Sequence, residues 1–209
     1  MLYILFAVVL SYLIGSIPTA VWTSRFFFGM DVRTKGSGNA GATNTFRVLG
    51  KGAGSFVLFF DIFKGWLGTY AATFLLQLDV IEPENELFLK LVFGFVTVLG
   101  HIYPVFAQFK GGKGVATLLG MVFCVSPFAA LICVSTFLIL FVAFHFVSVG
   151  SMVSALVFGI LVFSGFCGYA NVQTSLMAFM LTAMVIYTHR SNIEKLQAGT
   201  ENRMYFKKK

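Results

Sequence analysis

Charged side chains are scarce in this sequence of 209 residues. Asp, Glu, Lys and Arg together make up 11% of it, whereas 58% of the residues are apolar. Soluble domains carry about twice that charged fraction, so the composition excludes an ordinary soluble domain. The long apolar runs instead predict one integral membrane domain over residues 1–209, with an all-α, polytopic helical bundle as its fold.

Cysteine is also rare, with three in the chain. Cys124, Cys133 and Cys167 all lie in apolar runs, and none belongs to a CxxC or Cys/His pattern. We therefore expect them to be small buried hydrophobic residues, and we predict no metal site and no cofactor. The apolar run at the N-terminus has no basic segment before it, which indicates a membrane span rather than a cleaved signal peptide.

Acidic residues are few: 8 Asp and Glu stand against 15 Lys and Arg, for a formal net charge of +7. The cations cluster in short polar segments and the tail, so membrane topology explains them better than nucleic-acid binding. By the positive-inside rule, segments 25–51, 108–114 and 189–209 are predicted to be cytoplasmic. Segment 79–86 has four acids and no base, which places it and the N-terminus outside, with the C-terminus cytoplasmic.

This orientation constrains the number of spans. Three apolar runs precede residue 115, namely 2–23, 55–78 and 87–106. The almost uncharged stretch 115–188 must then contain an even number of crossings, so the chain has five or seven spans. We prefer seven, because two crossings of about 20 residues would leave much of that stretch unused. The expected breaks are Ser126–Pro127, Ser148–Ser151 and Gly168–Asn171.

Two charged residues stand inside the second apolar run. Asp61 and Lys64 are three residues apart, and each costs about 2.5–3.5 kcal/mol to insert into lipid. We expect them to face the bundle interior and to pair with each other. The pattern leaves open whether the pair is purely structural or takes part in substrate binding.

Glycine and small polar residues are concentrated in KGSGNAGATN (35–44). Its glycines have the G-x-G-x-x-G spacing of a dinucleotide-binding loop, at Gly36, Gly38 and Gly41. That motif requires a preceding strand, which a membrane span cannot supply, and a P-loop is excluded because Ala42 stands where its lysine would be. Two interpretations are left: a flexible turn with a helix cap from Thr43 or Asn44, or a loop whose backbone N–H groups cradle a phosphate.

A second glycine-rich segment, KGGKG (110–114), stands just before a predicted span. N–H groups at a helix start, with Lys110 and Lys113 beside them, would form an anion site, although two lysines can also simply mark the inner membrane face. In the tail, His189 and Asn192 are three residues apart and would share one helical face. A structural histidine at the membrane boundary is the alternative there.

Five segments in this order resemble a known family. They are YLIGSIPTA (12–20), GSGNAGATN (36–44), D-x-x-KG (61–65), KGGKGVAT (110–117) and HRSNIEKLQAGTE (189–201). Together they are similar to the bacterial membrane glycerol-3-phosphate acyltransferases that use acyl phosphate as donor, the PlsY family. The resemblance covers nearly the whole chain, and the one departure, Lys195 where many relatives have arginine, keeps the charge.

The resemblance implies a reaction and a location. A fatty acyl group would pass from acyl phosphate to the 1-hydroxyl of sn-glycerol 3-phosphate, giving lysophosphatidic acid and inorganic phosphate in the first step of phospholipid synthesis. It also implies seven helices in the bacterial inner membrane, an active site at the cytoplasmic face, and no use of acyl-CoA. The expected partners are the two substrates, the lipid bilayer and, as a candidate protein partner, the enzyme that makes acyl phosphate.

The resemblance also implies roles for residues. Arg47, Lys113 and His189 are the expected catalytic residues, while either His189 or a phosphate oxygen of the substrate could take the hydroxyl proton; we prefer the substrate oxygen. The expected substrate-binding residues are Gly36, Ser37, Gly38, Asn39, Gly41, Thr43, Asn44, Lys110, Gly111, Gly112 and Asn192. The competing interpretation is a membrane transporter of a phosphorylated anion, against which stands the absence of an evident internal repeat in the sequence.

Overall fold

The computed structural model describes residues 1–168 and 170–205. Their regular secondary structure is helix, with no strand among them, which confirms the predicted all-α class. The chain divides into two compact units at Val125 and Ser126. The first unit contains α1 (Leu2–Gly15), α2 (Thr19–Phe28), α3 (Ala42–Leu49), α4 (Lys51–Gln77), α5 (Pro83–Ile102) and α6 (Val115–Val125). The second contains α7 (Pro127–Phe144), α8 (Val147–Phe163), α9 (Val172–Thr188) and α10 (Arg190–Gln197). Short 3-10 turns lie at Val32–Thr34 and Val105–Ala107.

Three stretches of the described chain are helical, long and apolar enough to cross a membrane. They are Leu2–Phe28, Pro83–Ala107 and Pro127–Phe144. A fourth is possible if α9 and α10, which meet at a bend of 55°, count as one span. The predicted seven spans and the predicted orientation of the termini therefore stay predictions.

The helix breaks in the second half of the chain agree with the sequence at two of three places. Ser126 separates α6 from α7, and α8 ends at Phe163 whereas α9 begins at Val172. The break expected at Ser148–Ser151 was wrong, since α7 ends at Phe144 and is followed by His145, which has a positive φ of 61°. Ser148, Gly150 and Ser151 lie buried inside α8. A Cβ on Gly150 would lie 2.8 Å from the Phe137 ring of α7, so these small residues serve helix packing in the membrane rather than a turn.

Small residues also set the packing of the first unit. A Cβ on Gly15 of α1 would collide with the Thr97 carbonyl of α5, and a Cβ on Gly65 of α4 would collide with the Thr117 carbonyl of α6. The backbones therefore approach one another too closely for any side chain at these positions. Close approach through glycine is typical of helix contacts in membranes, where van der Waals packing replaces the hydrophobic effect.

The predicted pair Asp61 and Lys64 is present in the first unit. Lys64 Nζ lies 2.7 Å from Asp61 Oδ1, and both side chains are buried. Lys64 also donates to the Ile17 carbonyl at 2.8 Å, which lies in the break between α1 and α2. Thr19 Oγ1 donates to Asp61 Oδ1 at 3.1 Å. The interruption of the first span at Pro18 thus provides polar partners for the charges on α4.

Candidate functional site

The glycine-rich loop 35–44 begins with a tight turn. The Gly38 N–H donates to the Lys35 carbonyl at 3.1 Å, and Gly36 and Gly38 have positive φ angles of 62° and 74°. At Gly36 an added Cβ would collide with the Asn44 side chain. At Gly38 the nearest heavy atom to an added Cβ would be the Arg33 carbonyl oxygen at 3.5 Å, an ordinary contact. Glycine is therefore needed at position 38 for its backbone conformation alone, since an added side chain would meet no close neighbour on this exposed side of the loop.

Asn44 closes this loop through the hydrogen bonds of its side-chain amide. Its side chain is buried, and its Oδ1 accepts the Ser37 N–H at 2.8 Å. Its Nδ2 donates to the Val32 carbonyl at 3.0 Å and to the Lys35 carbonyl at 3.1 Å. The side-chain amide of Asn44 is thus hydrogen-bonded within the protein, so Asn44 shapes the loop. The sequence predicted it to be a substrate-binding residue.

The helix that follows the loop brings one cation to the surface. The residue at the N-cap position of α3 is Gly41, in an extended conformation and without a side-chain cap, so capping by Thr43 or Asn44 was a wrong expectation. Arg47 lies on the exposed side of this helix, and Ser37 and Lys35 are exposed in the loop before it. Asn39 and Thr43 are half-buried. The arrangement gives an exposed, positively charged surface lined by backbone.

The KGGKG segment is anchored by its own backbone. The Gly111 N–H donates to the Ile102 carbonyl at 3.1 Å, and the Gly112 N–H donates to the His101 carbonyl at 3.2 Å. A Cβ on Gly112 would collide with His101 Nε2. These two N–H groups therefore fasten the segment to the end of α5, whereas the sequence suggested that they would point out from a helix start; α6 begins only at Val115.

The two lysines of this segment have different surroundings. Lys110 is exposed, and Lys113 is half-buried in the described chain. The two lysines stand on either side of an anchored backbone and supply positive charge beside it. The segment can thus contribute cations rather than the N–H groups of Gly111 and Gly112.

Arg33 links the two polar segments of the first unit, and the sequence analysis missed it. Its Nη1 donates to the Ala107 carbonyl at 3.1 Å and to the Lys110 carbonyl at 3.2 Å. Its Nη2 donates to Asp31 Oδ2 at 2.7 Å and its Nε to Asp31 Oδ1 at 3.0 Å. The only signal in the sequence was Asp31-x-Arg33, an acid and a base immediately before the glycine-rich loop.

This ion pair is permanent at physiological pH. The hydrogen bond from Arg33 holds the pKa of the Asp31 carboxyl well below its usual range, against the opposing effect of partial burial. The same bond raises the pKa of the Arg33 guanidinium. Arg25 donates to the same carboxylate at 2.8 Å from a more exposed position. Asp31 therefore stays ionised between two arginines.

His189 and Asn192 belong to the second unit, where α9 gives way to α10. His189 is buried, and its Nδ1 lies 2.8 Å from the Val185 carbonyl, which can only accept, so Nδ1 carries a proton. In a neutral ring the lone pair is then on Nε2. The Asn192 N–H donates to the His189 carbonyl at 2.8 Å, which puts the two residues on one turn, as predicted.

Glu201 organises the same region and was not singled out from the sequence. Its Oε1 accepts from Asn192 Nδ2 at 2.6 Å and from Ser148 Oγ at 2.8 Å. One carboxylate therefore ties the tail segment to α8 and α10. The signal for it was its place at the end of HRSNIEKLQAGTE (189–201).

Known proteins resemble this chain over its full length. The family model described as glycerol-3-phosphate acyltransferase matches residues 5–199. The glycerol-3-phosphate acyltransferase of Chlorobaculum parvum is 37% identical over 99% of this chain and 98% of its own. That of Enterococcus faecalis is 41% identical over 97% of this chain and 93% of its own.

Two solved structures share the fold. Both are crystal structures of PlsY (YgiH), an integral membrane glycerol 3-phosphate acyltransferase. The glycerol 3-phosphate form has a TM-score of 0.83 and 39% identity, covering 97% of this chain and 96% of that one. The lysophosphatidic acid form has a TM-score of 0.81 and 40% identity, covering 97% and 95%.

Proposed function

Because this chain belongs to the glycerol-3-phosphate acyltransferase family and is an integral membrane enzyme of the PlsY type, we propose that its acyl donor is an acyl phosphate. The 1-hydroxyl oxygen of sn-glycerol 3-phosphate attacks the acyl carbonyl carbon. The bond from that carbon to the phosphate oxygen breaks, and inorganic phosphate leaves with the electron pair. The products are lysophosphatidic acid and phosphate, and no covalent enzyme intermediate is needed since the leaving group is already good.

One observation carries this proposal: at Gly36 and Gly38 the exposed turn has no side chain between its backbone and a ligand. The positive φ angles of Gly36 and Gly38, 62° and 74°, turn the backbone sharply at this exposed place. The Ser37 and Gly38 N–H groups donate to Asn44 Oδ1 and to the Lys35 carbonyl, so the side chains beside them are the proposed donors. The solved relative was captured with glycerol 3-phosphate, a phosphate-bearing ligand. We infer that the turn receives a phosphate group, with Ser37 and Asn39 as side-chain donors.

The two substrates together bring roughly four negative charges, about two for each phosphate. Arg47 is the proposed bidentate clamp, because a guanidinium can donate two parallel hydrogen bonds to one phosphate. Lys113 and Lys110 are the proposed point charges that stabilise the leaving phosphate. Holding both polyanions in line supplies proximity.

The remaining candidate residues are of two kinds: those proposed to lie beside a substrate, and those whose polar groups bond within the protein. Gly41 and Thr43 are proposed to line the loop, and Asn192 to contact glycerol 3-phosphate. Asn44, Gly111 and Gly112 are proposed to shape the binding surface, since their polar groups bond within the protein.

His189 is proposed to bind the phosphate of glycerol 3-phosphate, with a substrate phosphate oxygen as the base. Its Nδ1–H is donated to the Val185 carbonyl, so a contact with a phosphate oxygen requires a second proton on the ring, at Nε2. His189→Gln should then raise KM for glycerol 3-phosphate and leave the pH dependence of kcat unchanged. Loss of a near-neutral limb of the pH profile in this variant would instead make His189 the base.

The donor is tested directly with purified protein in detergent. Labelled glycerol 3-phosphate is supplied with acyl phosphate in one reaction and with acyl-CoA in a matched one. We expect lysophosphatidic acid and inorganic phosphate in equal amounts from acyl phosphate, and no product from acyl-CoA. Product from acyl-CoA alone would refute the donor assignment. The competing transporter interpretation is set aside by the family match, which names an enzyme.

We further propose that the chain acts as one acyltransferase domain over residues 1–209 in the bacterial inner membrane, with seven spans and a cytoplasmic site. The enzyme that makes acyl phosphate is the proposed protein partner, since it supplies the donor. Single cysteines at Asn85 and at Gln197 in a cysteine-free background test the topology. Asn85 should label from outside and Gln197 from inside. Labelling of both from one side would contradict the orientation.

A further inference from the structure

We propose that Arg33 is a positioning residue for the reaction, which fixes the Lys110–Lys113 segment against the glycine-rich loop 35–44. The inference rests on the proposed function for the role of those two segments. Its structural part, the link between them, can be tested without turnover.

The first support is the bridge itself. Arg33 Nη1 donates to two carbonyls, those of Ala107 at 3.1 Å and Lys110 at 3.2 Å, which lie 74 and 77 positions further along the chain. The other side of the guanidinium is locked by Asp31. The guanidinium is planar, with one edge bound to Asp31 and Nη1 bound to both carbonyls. It therefore fixes both the distance and the orientation between the two segments.

The second support is the backbone between those two carbonyls. Gln108 and Phe109 have positive φ angles of 57° and 58°, which non-glycine residues rarely adopt. Such conformations are unfavourable for residues with a side chain and persist only where surrounding contacts enforce them. Arg33 bonds the carbonyl immediately before this pair and the carbonyl immediately after it. Together with the Lys110 N–H, which donates to the Ala107 carbonyl at 3.2 Å, Arg33 closes the sharp reversal that leads into Lys110.

The third support lies at the other end of the link. The Arg33 carbonyl oxygen is the heavy atom nearest to an added Cβ at Gly38, at 3.5 Å. The 3-10 turn that contains Arg33 also supplies the Val32 carbonyl that accepts from Asn44. A shift of Arg33 would thus move the wall of the proposed phosphate loop and the lysine segment together.

Arg25 is a matched control within the same cluster. It has the same charge and binds the same Asp31 carboxylate, at 2.8 Å. Its side chain is 57% exposed against 17% for Arg33. Among the described residues, the hydrogen bonds of the Arg25 guanidinium go to Asp31 alone. Replacing either arginine removes one positive charge and one partner of Asp31, but only Arg33 reaches the lysine segment.

The catalytic test compares Arg33→Ala with Arg25→Ala in detergent, with thermal stability measured on the same samples. Arg33→Ala should lower kcat/KM at least tenfold, chiefly through KM for the phosphate substrates, and Arg25→Ala should stay within twofold of wild type. Arg33→Lys should recover part of the loss, because an ammonium can meet Asp31 but cannot bridge both carbonyls. Equal losses in the two alanine variants, or a loss in Arg33→Ala that only follows its lost stability, would overturn the proposal.

A second test asks whether Arg33 acts through the lysine segment. In a Lys113→Ala background, Arg33→Ala should cost much less than in wild type, because residues that act as a unit are not additive. Strictly additive losses would overturn the proposal.

A third test is independent of catalysis. A spin label at Gln108→Cys, in a cysteine-free chain, should become markedly more mobile with Arg33→Ala and stay unchanged with Arg25→Ala. If wild type makes no lysophosphatidic acid while this label responds as expected, the proposed function fails and the structural link stands. An unchanged label in Arg33→Ala overturns the link itself.

Discussion

A Gly38→Ala variant tests whether loop 35–44 binds phosphate through its backbone or is only a structural turn. Gly38 has a φ of +74°, and its added Cβ would meet only the Arg33 carbonyl at 3.5 Å. The cost of alanine there is therefore conformational, about 1–2 kcal/mol for a left-handed residue. That corresponds to a fall of about 5- to 30-fold in the population of the native turn. The methyl group would also project from the exposed face on which a phosphate group is proposed to rest.

Gly29 provides the matched control for this variant. It ends α2 with a φ of +64°, it is exposed, and nothing lies within 4 Å of an added Cβ. Gly29→Ala therefore has the same conformational cost, at an equally exposed position outside the loop. Both variants should lose a similar, small amount of thermal stability.

The assay is lysophosphatidic acid formation from acyl phosphate, with melting temperature in detergent measured beside it. Gly38→Ala should lower kcat/KM at least tenfold and weaken competitive inhibition by inorganic phosphate, while Gly29→Ala should stay within about twofold of wild type. If the two variants lose activity in equal proportion, loop 35–44 is a structural turn. Normal activity of Gly38→Ala would refute the phosphate cradle as well.

Three further predictions concern single contacts. Arg47→Ala should lower kcat/KM by about 10- to 150-fold, the value of a charge-assisted contact of about 1.5–3 kcal/mol, and Arg47→Lys should recover only part; near-normal kinetics in a folded alanine variant would remove Arg47 from the site. Asn44→Ala removes three hydrogen bonds, one from the Ser37 N–H and two to the Val32 and Lys35 carbonyls, and should cost about 1–3 kcal/mol of stability, so an unchanged melting temperature would contradict its structural role. Asp61→Leu or Lys64→Met alone leaves a buried charge without its partner and should cost about 3–5 kcal/mol, whereas the double variant should recover much of that loss; additive losses in the double variant would mean that the two charges do not stabilise each other.

The sequence predicted the features that local composition controls. Low charge and long apolar runs gave the helical membrane class, and two charges on one buried face gave the Asp61–Lys64 pair. Pro127 marked the start of α7 because proline is favoured at a first helical position. These inferences need only neighbours within a few residues.

Contacts between distant segments were out of reach of the same reasoning. Arg33 and the Lys110 carbonyl are 77 positions apart, and no periodicity relates a side chain to a backbone carbonyl at that distance. Asn44 looked like a ligand contact because amides are frequent in binding loops, yet its amide bonds back to its own loop. Serine and glycine at 148–151 are ambiguous in principle, because the same small residues form turns in water and helix contacts in lipid.

The buried charges of α4 also bear on how the chain is assembled in the membrane. Within the described residues, α4 is not among the helices that are apolar enough to cross on composition alone. The groups that receive its charges, the Ile17 carbonyl and the Thr19 hydroxyl, stand earlier in the chain. They leave the ribosome before α4, because synthesis runs from the N-terminus to the C-terminus. The order of synthesis therefore makes the polar partners of Asp61 and Lys64 before the helix that carries these two charges. A chain rearranged so that α4 emerged before residues 17–19 would have to insert Asp61 and Lys64 without these partners.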